Sequence, residues 1–198
     1  MTRVTCNIST SVDGFVAGPR QSLDNPIGEG GMRLHEWHFN PQGEDQALID
    51  EWQQTPGAYV MGRNMFGPGR GGWDLDWRGW WGDEPPYHAP VFVLTHHARD
   101  PLVMDGGTTF HFVTDGLDAA LEQAQAAAHG KNVEIAGGAS TVNAYLQAGA
   151  IDELHLHISP IVLSVGERLF EGVSADLRLE PIQVIGSRGV THVKYRVG

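Results

Sequence analysis

The sequence predicts an α/β protein built on a mostly parallel β-sheet with a mixed edge. Three observations support this fold class. Short apolar segments alternate with helix-like segments through most of the chain, which is typical of strands joined by helices. Residues 91–94 (VFVL) are a continuous apolar run, as in a strand that is buried on both faces. The C-terminal third is wholly β-like and ends in a predicted antiparallel hairpin.

The N-terminal half begins with a predicted strand at residues 4–9, and the Asp13-Gly14 pair then marks a turn. Residues 34–39 (LHEWHF) have helical character, which Pro41 interrupts. A longer helix is predicted at residues 44–54, where apolar side chains recur at helical spacing. Residues 58–61 are the next predicted strand.

Residues 67–90 form an unusual segment, because they hold four of the six tryptophans among glycines, prolines and acidic residues. Flexible linkers lack aromatic residues. We therefore expect an ordered loop that is packed by its own aromatic side chains and is suited to act as a lid or a subunit contact.

The second half supplies the remaining elements. Asp115 is a candidate N-cap for a helix, and Ser140-Thr141 opens another helix that ends at Gly149. The predicted helices span residues 117–128 and 140–148, and the predicted strands span residues 109–113, 133–136, 152–159, 177–185 and 190–197. No domain boundary is evident, so one domain over residues 1–198 is expected.

Composition narrows the possible classes of function. The chain has 198 residues and a net charge of −11, which argues against a general nucleic-acid surface. Cys6 is the single cysteine, so no internal disulfide can form. The sequence has neither a signal peptide nor an apolar run of about 18 residues, as a membrane span requires. We expect a soluble cytoplasmic protein that holds any anionic ligand in a local site.

The candidate binding site lies at the ends of predicted strands. A GxGxxG turn does not follow the first strand, and residues 67–72 lack the Gly-Lys-Ser/Thr of a P-loop. Three later strand ends carry glycine or polar residues, namely Gly62-Arg63, Thr95-His96-His97 and Gly137-Gly138-Ala139-Ser140. Carboxyl ends of parallel strands meet at one edge of a sheet, so these residues are expected to form a phosphate-binding rim. An ordinary strand-to-helix turn is the alternative for Gly137-Gly138.

Two carboxylates are candidate catalytic groups, and each also has a structural explanation. Asp13 is either a turn residue or a group presented to a substrate. Glu36 lies beside Trp37, and an aromatic wall would disfavour its charged form and suit it to donate a proton. A solvated helix face is the alternative for Glu36.

Two pairs of histidines are candidate metal ligands. His155 and His157 share one face of a strand, whereas His35 and His38 are three residues apart instead of the four of an HExxH zinc helix. We favour hydrogen-bonded histidines and expect no metal site.

The chain resembles the dihydrofolate-reductase-like family in four segments that occur in the family's order. They are residues 11–15 (SVDGF), 60–63 (VMGR), 133–140 (VEIAGGAS) and 152–170 (DELHLHISPIVLSVGERLF). The nearest branch includes the C-terminal reductase domain of the bifunctional riboflavin-biosynthesis deaminase/reductase. The resemblance implies a three-layer α/β/α fold with a mixed sheet of about eight strands, NADPH as cofactor and a homodimer.

The same resemblance implies roles for individual residues. Gly62 and Arg63 match a Gly-Arg pair whose arginine approaches the cofactor phosphates. The adenosine end and its 2′-phosphate would contact Thr95, His96 and His97. The segment under the nicotinamide and pyrophosphate would be Gly137, Gly138, Ala139 and Ser140.

On the substrate side, Asp13 matches an aspartate that faces the substrate in the riboflavin reductase, and Glu167 and Phe170 match a segment beside the active site. Glu36 is only a loose match to the acidic residue of dihydrofolate reductases. The zinc-deaminase signature is absent, and the tryptophans of residues 73–81 have no counterpart in the family.

The expected function is therefore an NADPH-dependent reductase that transfers hydride to a C=N or C=O bond of a small planar molecule of pterin or pyrimidine type. Trp37 and the tryptophans of residues 73–81 would stack on this substrate. Two alternatives stay open. One is a binding module that holds a nucleotide without hydride transfer, and the other is a structural dimer that uses the tryptophan-rich loop as its interface.

Overall fold

The computed structural model describes residues 2–198. Its strands are β1 (Val4–Ser11), β2 (Phe15–Ala17), β3 (Pro56–Gly62), β4 (Pro90–Leu94), β5 (Leu102–Val103), β6 (Thr109–Val113), β7 (Asn132–Gly137), β8 (Glu153–Ser159), β9 (Glu167–Arg168), β10 (Leu179–Gly186) and β11 (Thr191–Val197). Its α-helices are α1 (Glu36–Phe39), α2 (Asp45–Gln54), α3 (Arg63–Phe66), α4 (Leu117–Ala127) and α5 (Ala139–Gln147), and 3-10 helices span Gly31–His35 and Asp105–Gly107.

Nine strands form the main sheet in the order β10-β11-β8-β1-β7-β3-β4-β6-β5. The six strands from β8 to β6 in this order are parallel to one another, while β11 and β10 at one edge and β5 at the other add antiparallel pairs. The predicted α/β class, the mixed sheet and the C-terminal hairpin are confirmed. Strands β2 and β9 form a separate two-stranded sheet that the sequence did not predict.

Side chains that alternate along β3 show how the two faces of the sheet are covered. Ala58 and Val60 point into one apolar cluster together with residues of α4 and α5, whereas Tyr59 and Met61 point into a second cluster on the opposite face. Helices α1 and α2 and the segment of residues 67–89 cover the second face. The predicted three layers are present, but part of one outer layer is a loop.

That loop, residues 67–89, is ordered by its own aromatic side chains. Trp73 donates its indole N–H to the carbonyl of His97 at 2.7 Å, and Trp77 donates to the carbonyl of Phe66 at 3.0 Å. Trp81 lies against Phe110 with ring centroids 5.9 Å apart. These three rings are partly buried, and Trp73 and Trp77 also have an acceptor for the indole N–H, so aromatic side chains pack the loop against the sheet.

A layer of polar side chains lies between the second face and α2. Its centre is Glu134 of β7, which is fully buried. The carboxylate accepts hydrogen bonds from the Thr5 hydroxyl at 2.6 Å, the Asn7 amide N–H at 2.7 Å and the Asn7 side-chain amide at 3.0 Å. Burial raises the pKa of Glu134, while these hydrogen bonds act in the opposite direction. The interior here is held by directed polar contacts as well as by apolar packing.

A chain of buried side chains continues this layer. Asp45 at the start of α2 lies 3.1 Å from Nε2 of His192, and Nδ1 of His192 lies 2.7 Å from Nδ1 of His157. A carboxylate can only accept a hydrogen bond, so Nε2 of His192 is the donor to Asp45, and the facing Nδ1 atoms of His192 and His157 share one hydrogen bond. His155 in turn lies 2.9 Å from the Asn7 side-chain oxygen. Both histidines of β8 are thus hydrogen-bonded within the fold.

Helix α4 starts at the predicted residue but has a different N-cap, and α5 starts one residue earlier than predicted. Asp115 does not cap α4; the N-cap is Gly116, whose φ of 94° lies in a region that favours glycine. Helix α5 likewise begins at Ala139 with Gly138 as its N-cap.

Within residues 2–198, no helix has the length and apolar character needed to cross a bilayer.

Candidate functional site

A large cleft lies at the carboxyl ends of the parallel strands. It has a volume of about 910 Å³, within the range of roughly 300–1,000 Å³ that is usual for small-molecule and cofactor sites. Strands β1, β3, β4, β6 and β7 all end at its wall, and the loop of residues 67–89 closes one side. The sheet thus presents five strand ends to one ligand-sized space.

The structure brings every residue of the predicted cofactor site to this cleft. The three strand ends meet there although they are far apart in sequence, and Glu167 from β9 joins them. The predicted residues that line the cleft are Gly62, Arg63, Thr95, His96, His97, Gly137, Gly138, Ala139, Ser140 and Glu167.

Arg63 is the most prominent polar group of this wall. Its guanidinium carbon lies 3.9 Å from the centroid of the Trp73 ring, and Nη2 donates to the Gly72 carbonyl at 3.2 Å. Its Nε is buried and has no hydrogen-bond partner within the described chain. Burial, and then the charge of nearby Arg70, lower the pKa of Arg63. A bound anion would satisfy Nε and relieve the repulsion between the two arginines.

Two glycines of the cleft have different structural requirements. A Cβ on Gly62 would lie 2.4 Å from the Thr141 hydroxyl oxygen, so glycine here permits α5 to pack closely on β3. Gly137 has a φ of 127°, which only glycine adopts readily. A Cβ on Gly138, by contrast, would meet nothing within 4 Å, so the wall is open at that point. The first N–H groups of α5 follow directly, as an anion-binding turn requires.

Three of the predicted catalytic and substrate-binding residues lie outside the cleft wall. Glu36 is exposed on α1 and does not line the cleft. Trp37 is only 4% exposed and packs against His157, with ring centroids 4.7 Å apart, so it has no free face for a substrate. Phe170 donates its backbone N–H to the side chain of Asn143 and packs against the main apolar cluster.

Asp13 also lies outside the cleft wall, and its carboxylate is engaged by the backbone. Its two oxygens accept the N–H groups of Leu163 at 3.1 Å and Ser164 at 2.7 Å. Hydrogen bonds from Ser11, then Leu163 and Ser164, lower the pKa of Asp13 to about 2. In this structure Asp13 therefore holds the backbone of residues 163 and 164 against the turn that follows β1.

We predict that the stability contributed by the Asp13 carboxylate is lost in acid. Because the pKa of Asp13 is lowered from 3.8 to about 2, its stabilising contribution is present above about pH 4 and is lost as the pH falls towards 2. Asp13→Asn is therefore expected to lower the urea midpoint clearly at pH 6 and much less at pH 2.5. Asp24→Asn, an exposed turn position, is the control. An equal deficit for Asp13→Asn at both pH values would contradict the prediction.

Sequence reasoning missed several residues of the cleft. The same strand-end argument would have identified Ser9 of β1 and Thr114 after β6, since both follow apolar strand residues. His35 lies in the cleft wall, although the sequence suggested only its spacing from His38. Arg70, Trp80 and Trp81 reach the cleft through the tertiary packing of the loop, which no local pattern reveals.

The chain is similar to proteins of one known family. The model of the family described as RibD C-terminal domain matches residues 2–191. A curated relative, the uncharacterized protein YwjB of Bacillus subtilis (strain 168), is 24% identical over 181 residues, which are 87% of this chain and 84% of YwjB.

Solved structures show the same fold. A protein of Shewanella sp. PV-4, assigned provisionally to riboflavin biosynthesis, superposes with a TM-score of 0.68 and 24% identity, covering 100% of this chain and 99% of the other. The dihydrofolate reductase of Enterococcus faecalis, solved in complex with NADP(H), superposes with a TM-score of 0.58 and 12% identity, covering 99% and 96%. At these identities the likeness establishes the fold.

Proposed function

Because the chain belongs to the RibD C-terminal domain family, we propose that it is an NADPH-dependent reductase that transfers hydride to a C=N or C=O bond of a small planar substrate. The observation that carries this proposal is the meeting of three strand ends, at Gly62, Thr95 and Gly137, in one cleft of cofactor size. The dihydrofolate reductase that shares the fold is complexed with NADP(H), which supports the choice of cofactor.

The residues present fit a dinucleotide phosphate. Arg63 has an unpartnered buried Nε, and Arg70 supplies a second positive charge in the same wall. The N–H groups at the start of α5 would hold the pyrophosphate, and Thr95, His96 and His97 would contact the adenosine end. When bound, NADPH supplies the hydride.

The chain itself would position the two reacting rings and limit access of water. The open space at Gly138 allows a flat ring to approach the backbone of β7. Strand β1 and the Gly31–His35 helix form the wall opposite, where Ser9 and His35 are polar groups that can orient a substrate. Holding both rings in contact distance is the main contribution that such a site makes to rate.

One observation favours a second candidate function. Neither Asp13 nor Glu36, the two predicted catalytic carboxylates, lines the cleft, and Glu167 is the only carboxylate in the cleft wall of the described chain. A protein of this fold that binds a nucleotide without catalysing hydride transfer would have the same rim.

The cofactor proposal is tested by titration with NADPH while tryptophan emission and melting temperature are recorded. Trp73 packs on Arg63 and Trp81 lines the cleft, so binding should change the emission. NADPH at about 100 times its Kd should stabilise the fold by about 2.7 kcal/mol. NADH, which lacks the 2′-phosphate, is the control and should bind more weakly. No change at millimolar NADPH would contradict the proposal, whereas binding without turnover of any carbonyl or imine would favour the binding module.

A further inference from the structure

We propose that the substrate of this cleft is an uncharged, flat ring compound that carries no phosphate or other strongly anionic group. This inference rests on the proposed function, because it assigns Arg63 and Arg70 to the cofactor. It follows from the way in which charge is divided between the two sides of the cleft.

The order of the strands defines these two sides. Strand β7, which ends at Gly137, lies between β1 and β3 in the sheet. The ends of β3, β4 and β6 are therefore on one side of Gly137, and the end of β1, with β2 and the segment that follows it, is on the other. We call these the β3 side and the β1 side.

Both arginines of the cleft wall belong to the β3 side. Arg63 follows β3 directly, and Arg70 lies in the loop that begins after α3. His96 and His97, at the end of β4, are on this side too. Both arginines of the cleft wall are thus placed where the phosphates of the cofactor would lie.

The β1 side is mainly apolar. Its wall consists of residues from β1, β2, the following loop, the Gly31–His35 helix and α1. The apolar members are Ile8, Val16, Ala17, Pro26, Ile27, Met32 and Phe39. The polar members are Ser9, Gln21 and His35, and Glu167 at the rim is the one residue with a formal charge.

Three arginines near the β1 side do not line the cleft. Arg20 is paired with Glu29. Arg168 donates to the Asp13 carbonyl at 3.2 Å, and its guanidinium lies 4.3 Å from the Phe15 ring centroid. Neither residue lines the cleft, and Arg33 is exposed outside it.

A phosphate on the β1 side would therefore lose its hydration without gaining a cationic partner, and it would face the carboxylate of Glu167. His35 does not supply the missing charge, because burial, followed by the charge of His38, lowers its pKa to about 4 and leaves the ring neutral at pH 7. An uncharged ring avoids these costs and buries its faces against Met32 and Phe39.

Two groups can orient such a ring through a carbonyl or imine. Ser9 accepts the indole N–H of Trp37 at 3.1 Å, and its own O–H has no acceptor among residues 2–198. Ser9 as a whole residue is only 5% exposed, so a ligand acceptor would complete the hydrogen bonding of its hydroxyl. Neutral His35 can add one N–H donor. Both groups suit an uncharged acceptor atom on the substrate.

The test compares riboflavin with flavin mononucleotide, which share one ring system and side chain and differ by a phosphate. The protein is first saturated with NADP+, whose binding is measured separately, and flavin anisotropy then gives the two Kd values. Riboflavin should bind at least about tenfold more tightly. Equal or tighter binding of the mononucleotide, or no binding of either flavin, would overturn the inference while the cofactor proposal stands. Failure of NADP+ to bind would overturn both.

A charge introduced on the β1 side gives a second readout. Met32 is 48% exposed, so Met32→Lys should fold normally. It should improve binding of the mononucleotide about tenfold and leave NADP+ binding unchanged. Leu23→Lys is the control, because Leu23 is 64% exposed and lies outside the cleft wall. An unchanged preference in Met32→Lys would show that the absence of a cation does not set the selectivity.

Discussion

Replacing Glu134 with leucine is expected to lower the free energy of unfolding by about 4 kcal/mol. Glu134 is fully buried in β7, and its carboxylate is the acceptor for the Thr5 hydroxyl, the Asn7 backbone N–H and the Asn7 side-chain amide. Leucine has a similar size but no acceptor, so these donors would stay buried without partners. Urea denaturation followed by tryptophan fluorescence at pH 7 measures the change.

Two further variants isolate the cause. Glu134→Gln keeps one acceptor oxygen and should cost about half as much as Glu134→Leu. Glu122→Leu changes the same residue types on the exposed surface of α4 and should alter stability by no more than about 0.5 kcal/mol. A loss below about 1 kcal/mol in Glu134→Leu would mean that the polar layer does not depend on this carboxylate.

Arg63→Ala is expected to weaken NADPH binding by about 10- to 100-fold, since a charge-assisted hydrogen bond contributes about 1.5–3 kcal/mol. The guanidinium carbon lies 3.9 Å from the centroid of the Trp73 ring, so the donors of Arg63 are oriented before a ligand arrives. Its buried Nε has no partner within the described chain. Arg63→Lys should give an intermediate loss, because an ammonium cannot form the same pair of parallel hydrogen bonds. Isothermal titration of each variant provides the Kd.

Arg33→Ala is the matched control, because Arg33 is exposed and does not line the cleft. Melting temperatures without ligand separate loss of the site from loss of the fold. If Arg63→Ala bound NADPH as tightly as the unaltered chain, the phosphates would have to lie elsewhere.

Much of the fold could be predicted because it rests on local patterns. The continuous apolar run of β4 and the alternation in β8 identify a buried parallel strand and a strand with one polar face. Strands β2, β5 and β9 have only two or three residues, too few to show a period, so the sequence alone does not define them. The role of residues 67–89 as an outer layer depends on packing against Phe110, which is distant in sequence.

The candidate site likewise contains some residues that local sequence patterns predict and others that they do not. Gly62-Arg63, Thr95-His97 and Gly137-Ser140 were predictable because a strand end is a local feature and parallel topology brings such ends together. Asp13, Glu36, Trp37 and Phe170 were assigned by resemblance and residue type, but those features do not report the direction of a side chain. Trp37 turns inward to His157 and Asp13 turns to the 163–164 backbone, and both directions depend on contacts distant in sequence.

The two ends of the nine-stranded sheet bear on how this protein avoids aggregation. A sheet grows by strand addition from another molecule only where a long row of main-chain groups is free. At one end β5 has two residues, which is too short a template. At the other end β10 has eight residues, but Pro181 has no N–H to donate and the pairing register shifts between Pro181 and Gln183. Both ends therefore disfavour open-ended polymerisation of folded molecules.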